Sequence, residues 1–240
     1  MSRIQPRRTI AIGDIHGCST ALQTLFSAID PQIDDLMITL GDYVDRGPDT
    51  RGVVELLFQL QDRSNLVPLI GNHEVMLLSA VNSDIERGFW LSCGGQETLD
   101  SYGGSPDDIP QDHLDFFSRC SPFWETDTHV FLHANYDARL PLSDQPETLL
   151  LWKHLVEPFP PPHISGKVVV VGHTPQVAGD ILDLEHVICI DTCCFGSGWL
   201  TALDVHSGKI WQANEQGELR IGSTQQRRMD ETESEPHDLG

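Results

Sequence analysis

Six residues of metal-ligand type stand just past the ends of short apolar runs in this sequence: Asp14, His16, Asp42, Asn72, His133 and His173. The runs are Thr9-Ile10-Ala11-Ile12, Leu36-Met37-Ile38-Thr39-Leu40, Leu66-Val67-Pro68-Leu69-Ile70, Val130-Phe131-Leu132 and Val168-Val169-Val170-Val171. Each leads into Gly-Asp, Gly-Asn-His, Gly-His or a bare His. Carboxylate, amide oxygen and imidazole make the mixed donor set that suits a pair of divalent transition ions, with one carboxylate shared between them. A single Gly-Asp after a strand is an ordinary turn. Five such endings in one chain, each with a ligand-type residue, point to one metal-binding rim.

That chemistry needs elements that bring distant residues together. Continuous apolar runs bounded by Gly read as strands buried on both faces. Between the early ones lie helical patterns. Ser19 or Thr20 can cap a helix whose apolar face is Leu22, Leu25, Phe26 and Ile29. Thr50 precedes a helix carrying Val53, Val54, Leu57, Phe58 and Leu60, and Asn72 opens one carrying Val75, Met76, Leu77 and Leu78. Strand-helix-strand alternation implies parallel crossovers and an α/β fold class with a βαβαβ core. In such sheets ligands gather beyond the carboxyl ends of the strands, which is where the six residues fall. Residues 181–184, 186–190, 198–203 and 209–211 read as short antiparallel strands, expected to form a second sheet packed face to face with the first. The expected architecture is two packed mixed β-sheets flanked by helices. One domain is expected over residues 1–221. Within it residues 86–123, carrying Gly94-Gly95 and Gly103-Gly104, read as a cap-like insertion. Residues 222–240 are polar, with only Met229 and Leu239 as large aliphatics, and read as a disordered tail.

Composition narrows the function classes. Fifteen Lys+Arg against 36 Asp+Glu give a formal net charge of −21, which argues against a nucleic-acid or anionic-membrane surface. No run reaches the roughly 18 apolar residues of a membrane-spanning helix. Thr9-Ile10-Ala11-Ile12 is too short for a signal-peptide core. The six cysteines show no CxxC pairing or zinc-ligand spacing. Reduced thiols and a cytoplasmic location are the corresponding expectations.

The five blocks Gly13-Asp14-Ile15-His16-Gly17, Gly41-Asp42-Tyr43-Val44-Asp45-Arg46-Gly47, Gly71-Asn72-His73-Glu74, His133-Ala134-Asn135 and Gly172-His173 together resemble the phosphoprotein phosphatase family. That family is a branch of the calcineurin-like metallophosphoesterases. His133-Ala134-Asn135 is most similar to the compact bacterial and bacteriophage serine/threonine phosphatases, as is the segment with Trp90-Leu91, Gly94-Gly95 and Thr98-Leu99. The resemblance implies a metallophosphoesterase catalytic domain with two divalent metal ions, manganese foremost and iron or zinc as alternatives. Asp14 and His16 would hold the first ion, Asn72, His133 and His173 the second, and Asp42 would bridge them. A water shared by the ions would attack phosphorus. His73, oriented by Asp45, would protonate the leaving oxygen, and Arg46 would grip the phosphoryl group.

One position departs from the family pattern. A second phosphate-binding Arg is expected between the last two metal blocks, but the chain reads Leu151-Trp152-Lys153-His154-Leu155. Lys153 or His154 would replace it, with Arg139 a more distant candidate. The alternative is a helix end with Trp152 in the core and both cations solvated. The expected activity is a metal-dependent phosphomonoesterase acting on phosphoserine and phosphothreonine, with phosphotyrosine also open. The expected partner is a phosphorylated protein or peptide, with no regulatory subunit, nucleic acid or membrane. The alternatives are symmetrical dinucleoside-tetraphosphate hydrolysis, a phosphodiesterase, or a non-catalytic metal-binding protein. Diesterases of the superfamily carry a second His two residues after the last motif His, where this chain has Pro175.

Overall fold

The structure is a computed structural model that describes residues 6–224. The early apolar runs become strands β1 (Thr9–Ile12), β2 (Leu36–Thr39) and β3 (Asn65–Pro68), paired in parallel. Helices α1 (Ser19–Ile29) and α2 (Thr50–Gln61) make the crossovers, and α3 (Asn72–Ala80) follows β3. Leu22, Leu25, Phe26 and Ile29 are the buried face of α1, as their spacing predicts. Its N-cap, however, is Cys18 and not Ser19 or Thr20. Ser19 donates instead to Asp49, the residue that caps α2 by accepting the Gly52 N–H at 2.9 Å.

Helices α4 (Asp84–Trp90), α5 (Gln96–Tyr102) and α6 (Gln111–Ser118) occupy the middle segment. A second sheet then forms from β4 (Phe123–Glu125), β5 (His129–Leu132), β6 (Val168–Val171), β7 (Leu182–Asp183) and β8 (Val187–Cys189), in the order β4-β5-β6-β8-β7. Its central pairs β5–β6 and β6–β8 are parallel, and its outer pairs are antiparallel. Helix α7 (Glu147–Trp152) lies between β5 and β6 in the chain.

The last strands depart from the sequence expectation. The short β9 (Asp191–Thr192) pairs with β10 (Trp199–Asp204), which runs antiparallel to β1, and β11 (Lys209–Ala213) and β12 (Leu219–Ser223) extend that edge. They therefore widen the first sheet to the order β12-β11-β10-β1-β2-β3 and do not build the second. The alternation of their side chains explains it. Leu200 and Ala202 join the helix-facing core with Ile10 and Ile12, whereas Leu203 and Ile210 face the other way with Ala11 and Ile38. Because β12 ends at Ser223, the ordered fold runs two residues past the expected boundary at 221. Residues 225–240 of the expected tail lie outside the described residues.

The two sheets close on each other through Ala11, Ile38, Leu40 and Leu69 from the first and Phe131, Val170 and Ile188 from the second. Helix layers cover the outer faces. Each fully buried aliphatic or aromatic side chain contributes about 1.5–3 kcal/mol. Among the described residues no helix is long and apolar enough to cross a membrane. Phe131 is fully buried between the sheets, so Phe131→Ala should cost about 3–5 kcal/mol in urea denaturation with an unchanged slope. A cost below about 1 kcal/mol would mean that the sheets do not close as described.

Candidate active site

Strand ends deliver the site. Asp14 and His16 follow β1, Asp42 follows β2, Asn72 and His73 open α3 beyond β3, and His133 and His173 follow β5 and β6. The loops after β1 and β2 are locked by backbone bonds, with Ile15 and His16 N–H donating to the Asp42 carbonyl at 3.0 and 2.7 Å. Two glycines set how near those loops come. A Cβ on Gly47 would lie 1.9 Å from the His16 carbonyl oxygen, and one on Gly17 would lie 2.7 Å from the Gly47 carbonyl oxygen. No side chain fits at either position.

Asp42 stands at the centre. One carboxylate oxygen lies 3.4 Å from His16 Nε2, and the other 3.4 Å from His133 Nε2. The two histidines are pre-oriented. His16 Nδ1 donates to the Val44 carbonyl at 2.8 Å and His133 Nδ1 donates to the Leu40 carbonyl at 2.7 Å, so each Nε2 is left as a lone-pair donor. Asn72 Oδ1 and His173 Nδ1 stand 2.9 and 3.1 Å from that His133 Nε2. Asp14 accepts the His173 N–H at 2.9 Å, a contact possible only because residue 172 is Gly. All six residues expected as ligands are thus brought together.

The electrostatics fit a cation. Burial pushes His16 and His173 down to about 3, and it also lowers His133, so these rings are neutral donors near neutral pH. Burial opposes ionisation of Asp42, yet His133, His73, His16 and His173 hold it below the usual carboxylate range. Asp14 is raised by burial and by the charges of Asp191 and Asp42. Buried carboxylates repelling one another, neutral imidazoles aimed inward, and His173 Nδ1 beside His133 Nε2 make a donor set for two ions. Asp14 and His16 would hold one, Asn72, His133 and His173 the other, with Asp42 between them.

His73 lies beside this set, its ring 4.7 Å from that of His16. Its Nδ1–H donates to Asp45 Oδ2 at 2.7 Å. Burial alone would lower His73, but the Asp42 charge and the Asp45 bond raise it, so the ring retains its proton more readily than a free imidazole. Asp45 is itself held by Trp90 Nε1 at 2.9 Å and by Thr98 Oγ1 at 2.8 Å. Arg46 donates its N–H to the Gly94 carbonyl at 2.9 Å, and its Nη1 lies 3.4 Å from His16 Nε2. The segment around residues 86–123 therefore reaches the site through Trp90, Gly94 and Thr98.

The expected substitutes for a second Arg separate. The exposed His154 stacks on His173 with ring centroids 4.6 Å apart and planes at 21°. Lys153 is exposed just past the end of α7. Arg139 sits on an exposed turn, its backbone N–H bonded to Asp137. Trp152 is 38% exposed and so not in the core as the packing alternative had it, while the exposure of Lys153 and His154 agrees with that alternative.

Sequence reasoning missed several members. Asp191, 3% exposed, ends the apolar run 187–190 at the same rim, and that strand-end signal could have found it. Glu74, the last residue of its sequence block, is a second such member. It accepts the N–H groups of Asp42, Tyr43 and Gly71 at 2.7–2.9 Å and so fixes the turn that carries Asp42. Burial pushes it up to about 8.

Occupied by Mn at about 100 times the dissociation constant, the site should stabilise the fold by about 2.7 kcal/mol per ion, or about 5–10 °C in Tm. Asp42→Asn should abolish the shift, and Asp14→Asn should retain part of it. A full shift in Asp42→Asn, read by thermal denaturation with and without Mn, would remove Asp42 from the centre of the site.

Comparison with known proteins places this geometry. A symmetrical bis(5'-nucleosyl)-tetraphosphatase of Ralstonia nicotianae is 35% identical over 97 residues, 40% of this chain and 31% of the relative. Serine/threonine-protein phosphatase 1 of Salmonella typhimurium is 40% identical over 91 residues, 37% of this chain and 39% of the relative. The chain thus spans about a third of the length of these curated relatives. Among solved structures, one described as a candidate diadenosine tetraphosphatase superposes with a TM-score of 0.66 at 22% identity, covering 93% of this chain and 96% of the other. A protein tyrosine phosphatase of a psychrophilic Shewanella superposes at 0.62 and 17% identity, covering 90% and 80%. These two likenesses show the fold. The profile described as calcineurin-like phosphoesterase matches residues 7–196, most of the chain, and the protein belongs to that family of metallophosphoesterases.

Proposed function

We propose that the protein is a manganese-dependent phosphomonoesterase acting on phosphoserine and phosphothreonine in protein or peptide substrates, with phosphotyrosine also accepted. The reading rests on one arrangement: a proton-holding imidazole, His73, beside a rim of six metal donors and next to the Arg46 guanidinium. Two divalent ions bound there would supply an acidified water as nucleophile and neutralise phosphoryl charge. Arg46 binds two phosphoryl oxygens through its planar fork. His73 gives its proton to the departing ester oxygen and Asp45 holds the ring in position for that transfer. Mixed nitrogen and oxygen ligation supports manganese, with iron or zinc as substitutes.

Monoester substrates are favoured over polyphosphates by the charges of the rim. Asp14, Asp42 and Asp191 are buried there, and the guanidinium among them is that of Arg46. A tetraphosphate chain brings several further anionic groups that need cations. The second reading is symmetrical dinucleoside-tetraphosphate hydrolysis, favoured by the names of several relatives. With Mn added, kcat/KM on a phosphoserine peptide should exceed that on diadenosine tetraphosphate. The reverse order would give the second reading.

Two variants test the proton donor. His73→Asn should keep both metals and lose about 10²–10⁴-fold in kcat on alkyl phosphates, with a smaller loss on aryl phosphates whose phenolate leaves readily. Equal losses on both would remove His73 from that role. A general acid works only while protonated, so activity falls as pH rises through its pKa. The Asp42 charge and the Asp45 bond hold that pKa above the ordinary histidine value, and Asp45→Asn should therefore move the alkaline limb of kcat/KM to lower pH. An unmoved limb would break the link between Asp45 and His73.

A further inference from the structure

Arg46 is a long side chain with high rotamer freedom, placed among carboxylates that would draw a loose guanidinium away from a phosphoryl group. Its backbone is fixed. The residue is left-handed at φ 69°, and its N–H is bonded to the Gly94 carbonyl. The stem runs against Gly94, where a Cβ would lie 2.7 Å from Arg46 Cγ. Two contacts hold the head group. One is the 3.4 Å approach of Nη1 to His16 Nε2, and the other is the ring of Phe195, whose centroid lies 4.7 Å from the guanidinium carbon. The first contact uses the nitrogen lone pair that a metal ion would take, which leaves the ring as the lateral restraint in the working enzyme.

Phe195 is built to stay where it is. Its ring meets His16 edge to face, with centroids 5.0 Å apart and planes at 81°. It sits in a single turn of 3-10 helix, Cys194–Gly196, bounded by Cys193 and Ser197 at φ 60° and 69°. Asp191 Oδ1 accepts the Cys193 N–H at 3.0 Å, and the Gly196 and Gly198 N–H groups both donate to the Cys193 carbonyl at 3.0 Å. Gly198 lets this turn close, since a Cβ there would lie 2.2 Å from the Thr192 carbonyl oxygen. The turn thus fixes one half-buried aromatic face beside His16 and beneath Arg46.

We propose that Phe195 is a positioning residue that holds the Arg46 guanidinium in its phosphoryl-binding orientation through a cation–π contact. The inference rests on the reading of Arg46 as the phosphoryl grip. It predicts that Asp191 and Gly198 serve the site through the turn they shape.

The test combines a spectroscopic readout with binding of inorganic phosphate. In the protein loaded with diamagnetic Zn, so that the His16 Nε2 lone pair is not left to Arg46, the ¹⁵N relaxation of the Arg46 Nε–H group should report an ordered guanidinium in wild type and in Phe195→Tyr. It should report a mobile one in Phe195→Ala and Phe195→Leu. In the Mn-loaded protein, Phe195→Ala should weaken inorganic phosphate binding about tenfold, the upper range of a cation–π contact. The same substitution in an Arg46→Ala background should change phosphate binding less than twofold, because the effect passes through Arg46. An ordered Arg46 in Phe195→Ala would overturn the proposal. So would a Leu variant that restores order as fully as Tyr, since apolar bulk would then suffice. If Arg46→Ala alone leaves phosphate binding unchanged, the reading of Arg46 fails, while the relaxation data still decide whether Phe195 orders it.

Discussion

The site depends on a buried carboxylate that faces two ways. Asp42 presents one oxygen to His16, from the loop after β1, and the other to His133, from the loop after β5. Those strands belong to different sheets, so the carboxylate works only if the sandwich closes with both rims in register. The proton-holding His73 offsets the cost of burying its charge, and the His73 backbone N–H at the start of α3 donates to it at 3.2 Å. The surrounding backbone is unusual. His16, Asp42, Asp45, Arg46 and His173 all have left-handed φ between 46° and 72°. Non-glycine residues in that region cost on the order of 1–2 kcal/mol each. Such strain persists where the rest of the structure over-determines it, and here interlocked glycines, Glu74 and the sheet interface do so.

The middle segment has a supporting role at the site. Its Trp90 and Thr98 saturate Asp45 so that this carboxylate can align His73, and a kink at Gly94, at φ 106° between α4 and α5, turns the Gly94 carbonyl toward Arg46. Gly95 allows the kink because a Cβ there would lie 2.4 Å from the Trp90 ring. His73 and Arg46 are thus both braced by residues that lie outside the rim.

The gathering of six residues of metal-ligand type at one rim and the α/β class were legible because both signals are local. A buried strand is a short apolar run, and a ligand beyond its carboxyl end is the next polar residue. The partition of strands between sheets was not legible. Leu200–Leu203 carries the same apolar content whether it pairs with β1 or with a strand of the second sheet, and only the nonlocal register decides. The partners of Asp45 escaped notice for a similar reason, since Trp90 and Thr98 are 45 and 53 residues away and neither is a ligand type. Asp191 was missed because its run lacks the Gly that marks most of the others. Near the expected second Arg the choice between Lys153 and His154 was not legible, because it depends on which side chain the end of α7 turns toward His173, and Trp152 turned outward instead of into the core.

Anomalous diffraction from crystals of the Mn-loaded protein tests the account most directly. It predicts two ions about 3.5–4 Å apart, one oxygen of Asp42 on each, with His16 on the first ion and His133 on the second. A single ion, or two ions with Asp42 bound to only one of them, would contradict it.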